Sequence, residues 1–168
     1  MYRACAVSLI ATWLACSRVG AAEVCFTPGA DCTAVVVREL GRAKQSVRMQ
    51  AYGFTSAPVA KALVEATRRG VAVEVILDGS NRTGRYSALT FLVHESVPTS
   101  VDAAHAIAHN KVIIIDDHIV ITGSFNFTAA AQKNNAENLL VLEDPALAAR
   151  YIANWRVHLA HSEAVATP

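Results

Sequence analysis

Residues 109–126 read H-N-K-V-I-I-I-D-D-H-I-V-I-T-G-S-F-N, and they constrain this chain more than any other stretch. Two strand-length segments rich in β-branched apolar residues, 111–115 and 119–123, are joined by Asp116, Asp117 and His118, which predicts a hairpin. Side chains two apart on a strand share a face, so His109 and Lys111 point the same way. Asp116 has the opposite parity, which suits a supporting role better than direct chemistry. Gly123, Ser124 and Asn126 close the second run. Six specified residues at these spacings arise by chance at roughly one start position in ten million, so coincidence is a poor explanation.

An imidazole beside a fixed ammonium is suited to attack on a phosphodiester. His109 supplies a nucleophile, and Lys111 supplies a point charge for the phosphoryl oxygens. Ser124 and Asn126 add neutral hydrogen-bond donors for the same oxygens. With this set carrying the electrostatic work, neither a metal nor a cofactor is expected. The chain contains no H-E-x-x-H, no paired-carboxylate pattern and no zinc spacing after residue 22. His105 and His109 are four apart, as metal ligands on a helix can be, but this segment approaches a strand. His94, His118, His158 and His161 read as surface residues.

Residues 1–22 have the form of a secretory signal peptide. Arg3 precedes a short apolar run, and Gly20, Ala21 and Ala22 supply small residues for cleavage after Ala22. An uncleaved anchor is the competing reading, though the run is short for a bilayer span. The expected domain is therefore residues 23–168, periplasmic or secreted, with Cys25 and Cys32 as the cysteines left. In an oxidising compartment these two are expected to pair, the alternative being two buried thiols. Without Arg3 and Arg18 the 15 basic residues become 13 against 14 acidic ones. Overall charge gives no support for a protein that coats polyanions. Two basic clusters remain as local candidates: Arg38, Arg42, Lys44 and Arg48, then Arg68, Arg69, Arg82 and Arg85. A solvated helix face is the plain alternative for both.

The rest of the chain reads as alternating strands and helices. Strands are expected at 24–26, 47–54, 71–77, 99–102 and 137–142, in addition to the hairpin. Helices are expected at 33–45, from Ser56 as cap through Pro58 to Arg69, at 86–95 and from Asp144-Pro145 onward, with a short helix or loop at 127–134. This order predicts an α/β fold, a single domain whose mixed, partly parallel sheet is flanked by helices.

The motif, in the form HxK(x)4D, resembles the signature of the phospholipase D superfamily. The chain is similar to its small bacterial endonucleases of the Nuc type and, more distantly, to mitochondrial cardiolipin hydrolases. The likeness extends to residues 49–55, 81–85, 123–128 and 134–138. It implies an α/β sandwich, metal-independent phosphodiester hydrolysis and a covalent phosphohistidine. By position, His109 would be the nucleophile, while Lys111 and Asn126 would bind phosphate with support from Ser124. Asp116 would be the structural member of the catalytic motif, and Glu137 would orient a histidine. Glu137 is also the nearest carboxylate after the motif.

The 168 residues carry the signature once, whereas hydrolysis through a phosphohistidine needs a second group to protonate the leaving oxygen. The expected solution is a C2 homodimer that brings two copies of His109 and Lys111 together, with a bell-shaped pH–rate profile. DNA, and RNA after it, is the expected substrate. Phospholipid is the alternative with the same chemistry, and a catalytically silent binding module is a third reading that the intact signature opposes.

Overall fold

The structure, a computed structural model, describes residues 20–166. The signal-peptide reading of residues 1–19 lies outside that range. Eight strands form one sheet: β1 (Ala22–Thr27), β2 (Ser46–Ala51), β3 (Ala72–Asp78), β4 (Thr99–Asp102), β5 (Lys111–Ile115), β6 (Ile119–Gly123), β7 (Glu137–Glu143) and β8 (Glu163–Ala164). Among the described residues, five α-helices accompany them, α1 (Cys32–Arg42), α2 (Ala57–Arg68), α3 (Leu89–His94), α4 (Ala129–Lys133) and α5 (Pro145–His161), with one 3-10 turn at Gly79–Arg82. The strand order is β1-β7-β6-β5-β2-β3-β4-β8. β2, β3 and β4 are parallel neighbours reached by helical crossovers, while β5, β6 and β7 form an antiparallel meander. The mixed sheet expected from the sequence is thus present.

Period-2 alternation divides the core between the two faces of the sheet. On β5, Ile113 and Ile115 join the larger apolar cluster with Val36 and Leu40 of α1 and Leu63 of α2. Val112 and Ile114 face the other way, against Ile152 and Trp155 of α5. Each such buried branched side chain stabilises the fold by about 2 kcal/mol. The Trp155 indole does not go unpaired, since its N–H donates to the Met49 carbonyl at 3.2 Å.

Several boundaries differ from the sequence reading for identifiable reasons. The first helix ends at Arg42 instead of 45, because the amides of Lys44, Gln45 and Ser46 turn to the Asp116 carboxylate. β2 stops at Ala51, and Tyr52 continues by donating its amide to the Asn110 carbonyl at 2.9 Å. Ser56 occupies the cap position of α2 but makes no side-chain cap bond, and Pro58 removes one of the two amides its hydroxyl would serve. α3 starts only at Leu89, after Ser87 has bonded both Asn81 and the Leu89 amide. β8 was not anticipated; its two residues pair antiparallel with β4.

At the opposite edge, the expected cleavage point after Ala22 falls within the paired strand, where Ala22 faces Leu142 and the Ala21 carbonyl accepts from Glu143. Cys25 and Cys32 are joined as a disulfide linking β1 to the start of α1.

Candidate active site

The parallel strands β2, β3 and β4 all point their C-terminal ends at one rim of the sheet, where β5 begins and β6 ends. That rim carries a shallow cavity of about 480 Å³ lined by His109, Lys111, Gly123, Ser124, Asn126 and Glu137. Chain segments before β5, after β6 and at the start of β7 therefore converge there.

His109 is exposed, and its ring packs against Tyr52 with centroids 4.7 Å apart. Lys111 is 7% exposed. Its Nζ donates to the His109 carbonyl at 2.9 Å and lies 5.2 Å from the centre of the Tyr52 ring. Burial pushes the Lys111 amine below the usual lysine range, and the negative charge of Glu137 works against that push. An ammonium held this way, without a directly bonded counter-ion among the described residues, favours an incoming anion.

Gly123 is the pivot between β6 and the site. Its φ is +148°, and a Cβ there would stand 2.3 Å from the Asn138 carbonyl oxygen, so the backbones of β6 and β7 meet only because no side chain intervenes. Just beyond it, Ser124 donates its hydroxyl to Glu137 at 2.5 Å and accepts the Asn138 amide at 3.1 Å. The serine proton expected for a phosphoryl oxygen is therefore committed to Glu137. The other oxygen of Glu137 accepts from Asn135 at 2.9 Å. Among the described residues of one chain, Glu137 is bonded to these two side chains and not to the His109 ring. Asn126 turns its carbonyl oxygen toward the Gly53 amide at 3.4 Å, leaving its NH2 unbonded among the described residues.

Asp116, the remaining motif residue, lies at the opposite end of β5 and does not line the cavity. It has a φ of +53°, and its carboxylate accepts from the amides of Lys44, Gln45 and Ser46 at 3.0, 2.7 and 3.0 Å. Burial raises its carboxyl, but the Ser46, Gln45 and Lys44 amides and the Lys44 charge outweigh that and hold it below the usual range.

Tyr52, Asp78 and Asn81 were not singled out as site residues from the sequence. Asn81 donates to the Tyr52 carbonyl at 2.7 Å and Asp78 accepts the Ala108 amide at 2.6 Å, which fixes the residue preceding His109. Asp78 and Ser80 share a turn-capping spacing that could have flagged the first; the packing of Tyr52 has no such local signal.

The basic clusters are less available than their composition suggests. Arg38 and Arg42 bind Glu39, Arg48 binds Asp117, Arg68 binds Glu65 and Glu95, and Arg82 binds Glu163. Arg42, Lys44, Arg48, Arg68 and Arg69 also lie toward the Asp116 end, whereas Arg82 and Arg85 follow Asn81 at the cavity end. His158 departs from the surface reading: its side chain is 13% exposed and contacts Asp102.

Residues 36–157 match the family described as "Cardiolipin synthase, PLD-like domain". A protein named "Phospholipase D" from Rickettsia felis is 50% identical over 133 residues, covering 79% of this chain. The chain spans 66% of that relative's length. The "Mitochondrial cardiolipin hydrolase" of Drosophila melanogaster is 30% identical over 143 residues, covering 73% of this chain and 56% of the relative. The crystal structure of Nuc, a phospholipase D family member from Salmonella typhimurium, superimposes with a TM-score of 0.84 at 36% identity, covering 87% of this chain and 98% of Nuc. The sequence motif, the sheet order and these matches agree, and the chain belongs to the phospholipase D-like family.

Proposed function

We propose that this protein is an exported phosphodiester hydrolase that acts on nucleic acid through a phosphohistidine, working as a homodimer. The observation that carries the reading is the convergence of His109, Lys111, Asn126, Ser124 and Glu137 on one cavity. A ring nitrogen of His109 attacks phosphorus, the P–O bond to the leaving group breaks, and water then displaces the histidine. Lys111 and the Asn126 NH2 hold the phosphoryl oxygens as charge shifts onto them. Ser124 and Asn135 position Glu137 beside the ammonium. These groups supply the acid–base and electrostatic functions themselves, so catalysis through a metal is not part of the proposal.

One chain offers one His109, and the leaving oxygen still needs a proton. The partner subunit's His109 would supply it across a two-fold axis, each imidazole serving as acid for the other. The resemblance to Nuc-type endonucleases, and Arg85 following Asn81 near the cavity end, favour a nucleic-acid backbone as substrate.

A second reading, a phospholipid substrate, is favoured by the names of the relatives and by exposed apolar residues. Tyr86 is 73% and Ile107 52% exposed, the latter two residues before His109. Plasmid DNA, single-stranded nucleic acid and phospholipid vesicles, each tested with wild type and His109→Ala, decide between them. Cleavage of vesicles but not nucleic acid would replace the first reading with the second. Undiminished turnover by His109→Ala would reject both. Turnover should persist in EDTA well below the unfolding temperature, and sedimentation with parallel assays should find activity only where dimer is present.

A further inference from the structure

Asp102 closes β4, His105 follows in the loop that leads to His109, and His158 and His161 occupy the last turn of α5. None of these four lines the cavity. Each offers a ligand atom, and the four atoms lie within 4.8 Å of one another. We propose that Asp102, His105, His158 and His161 form a structural Zn2+ site that ties α5 to β4 and to the loop approaching His109.

The argument is geometric. Tetrahedral zinc with bonds of about 2.0–2.1 Å places neighbouring ligand atoms about 3.3 Å apart. One oxygen of Asp102 lies 2.7 Å from a His158 nitrogen, 3.2 Å from one of His161 and 3.9 Å from one of His105, so the distances bracket that edge length. The three imidazole centroids are 5.2, 5.3 and 5.4 Å apart, close to an equilateral triangle. Their planes are inclined at 57–79° to one another, so the rings are not stacked in parallel. The second oxygen of Asp102 accepts the Ala104 amide at 3.0 Å, which orients the carboxylate as an outer partner does for a metal ligand.

Burial and access fit the same role. The Asp102 side chain is fully buried, while those of His105 and His161 are 47% and 33% exposed, which provides an entry path. Three nitrogens and one carboxylate oxygen are a donor set that zinc accepts. Two pairs, each spaced by three residues, provide the ligands from positions more than fifty residues apart, outside any short zinc motif. Zinc would therefore bridge distant parts of the chain and restrain the segment carrying His109.

The test uses the full folded protein, stripped with EDTA and dialysed. Native mass spectrometry during Zn2+ titration should find one ion per chain, with a rise in melting temperature. Co2+ in its place should produce the strong visible absorption of a tetrahedral site. His105→Ala/His161→Ala, at partly exposed positions, should fold, yet bind Zn2+ at least about tenfold more weakly and lose the thermal shift. His109→Ala should bind zinc like wild type. Absence of stoichiometric binding, wild-type affinity in the double variant, or loss of binding in His109→Ala would each overturn the site. These readouts do not use phosphodiester cleavage, so failure here is separable from failure of the proposed function.

Discussion

The two ends of β5 solve opposite problems with charged side chains. At its far end the Asp116 carboxylate receives three backbone amides and holds the segment that starts β2. At its near end the Lys111 ammonium is also withdrawn from water but is given one carbonyl and an aromatic face. A charge satisfied by the fold contributes stability; one left under-satisfied costs stability and is available to a ligand. The difference separates the supporting residue of the motif from its reactive ones, although all lie within eight consecutive positions.

The largest effect should come from the near end. His109→Ala and Lys111→Met should each lower turnover by about 10³-fold or more, while the melting temperature of Lys111→Met stays level or rises. A lysine variant that unfolds readily would break the contrast, because the buried ammonium would then be stabilising. Asp116→Asn tests the other end: asparagine tolerates the positive φ but loses the charge, and stability should fall by about 2 kcal/mol in denaturant melts. Its turnover per folded molecule should stay close to wild type; a large loss would make Asp116 part of the chemistry.

The same contrast has a pH signature. The Asp116 carboxyl is held below its ordinary range in the folded chain, so its contribution is present above the unfolded value and is lost as pH falls through the folded one. Asp116→Asn should flatten that acid limb. The Lys111 amine is also lowered, so the unfolded chain binds more protons in the interval between its two values, and stability should rise with pH there. Lys111→Met should remove that alkaline rise, as urea midpoints across pH would reveal. The smallest effect concerns the arginines. Arg85→Ala, at the cavity end, should reduce the salt slope of nucleic-acid binding by about 1, whereas Arg68→Ala should leave it unchanged.

What was legible in the sequence follows from how local the cause was. The bounds of the hairpin strands, 111–115 and 119–123, are legible to the residue, because two short runs rich in β-branched apolar residues flank a polar three-residue loop. The same locality made Ser124 and Asn126 identifiable as site neighbours of His109. Failures occurred where a distant group decided the outcome. Nothing within residues 33–45 announces that Asp116 will take the amides that would have continued the helix. His158 and His161 read as solvent-facing because Asp102, more than fifty positions earlier, is what draws them inward. Tyr52 likewise becomes a site residue only once β2 and β5 are paired.

The meander has a kinetic consequence. β5 and β6 close on one another through a three-residue loop and β7 follows after α4, whereas β1 must find β7 across nearly the whole described chain. Loop closure over short distances is fast, and pairing across long ones is slow. During refolding, amides of the β5–β6 hairpin should gain protection from exchange before those of β1, a sequence that pulse labelling can read. The strands that flank the reactive rim would then be assembled while the edge of the sheet is still open.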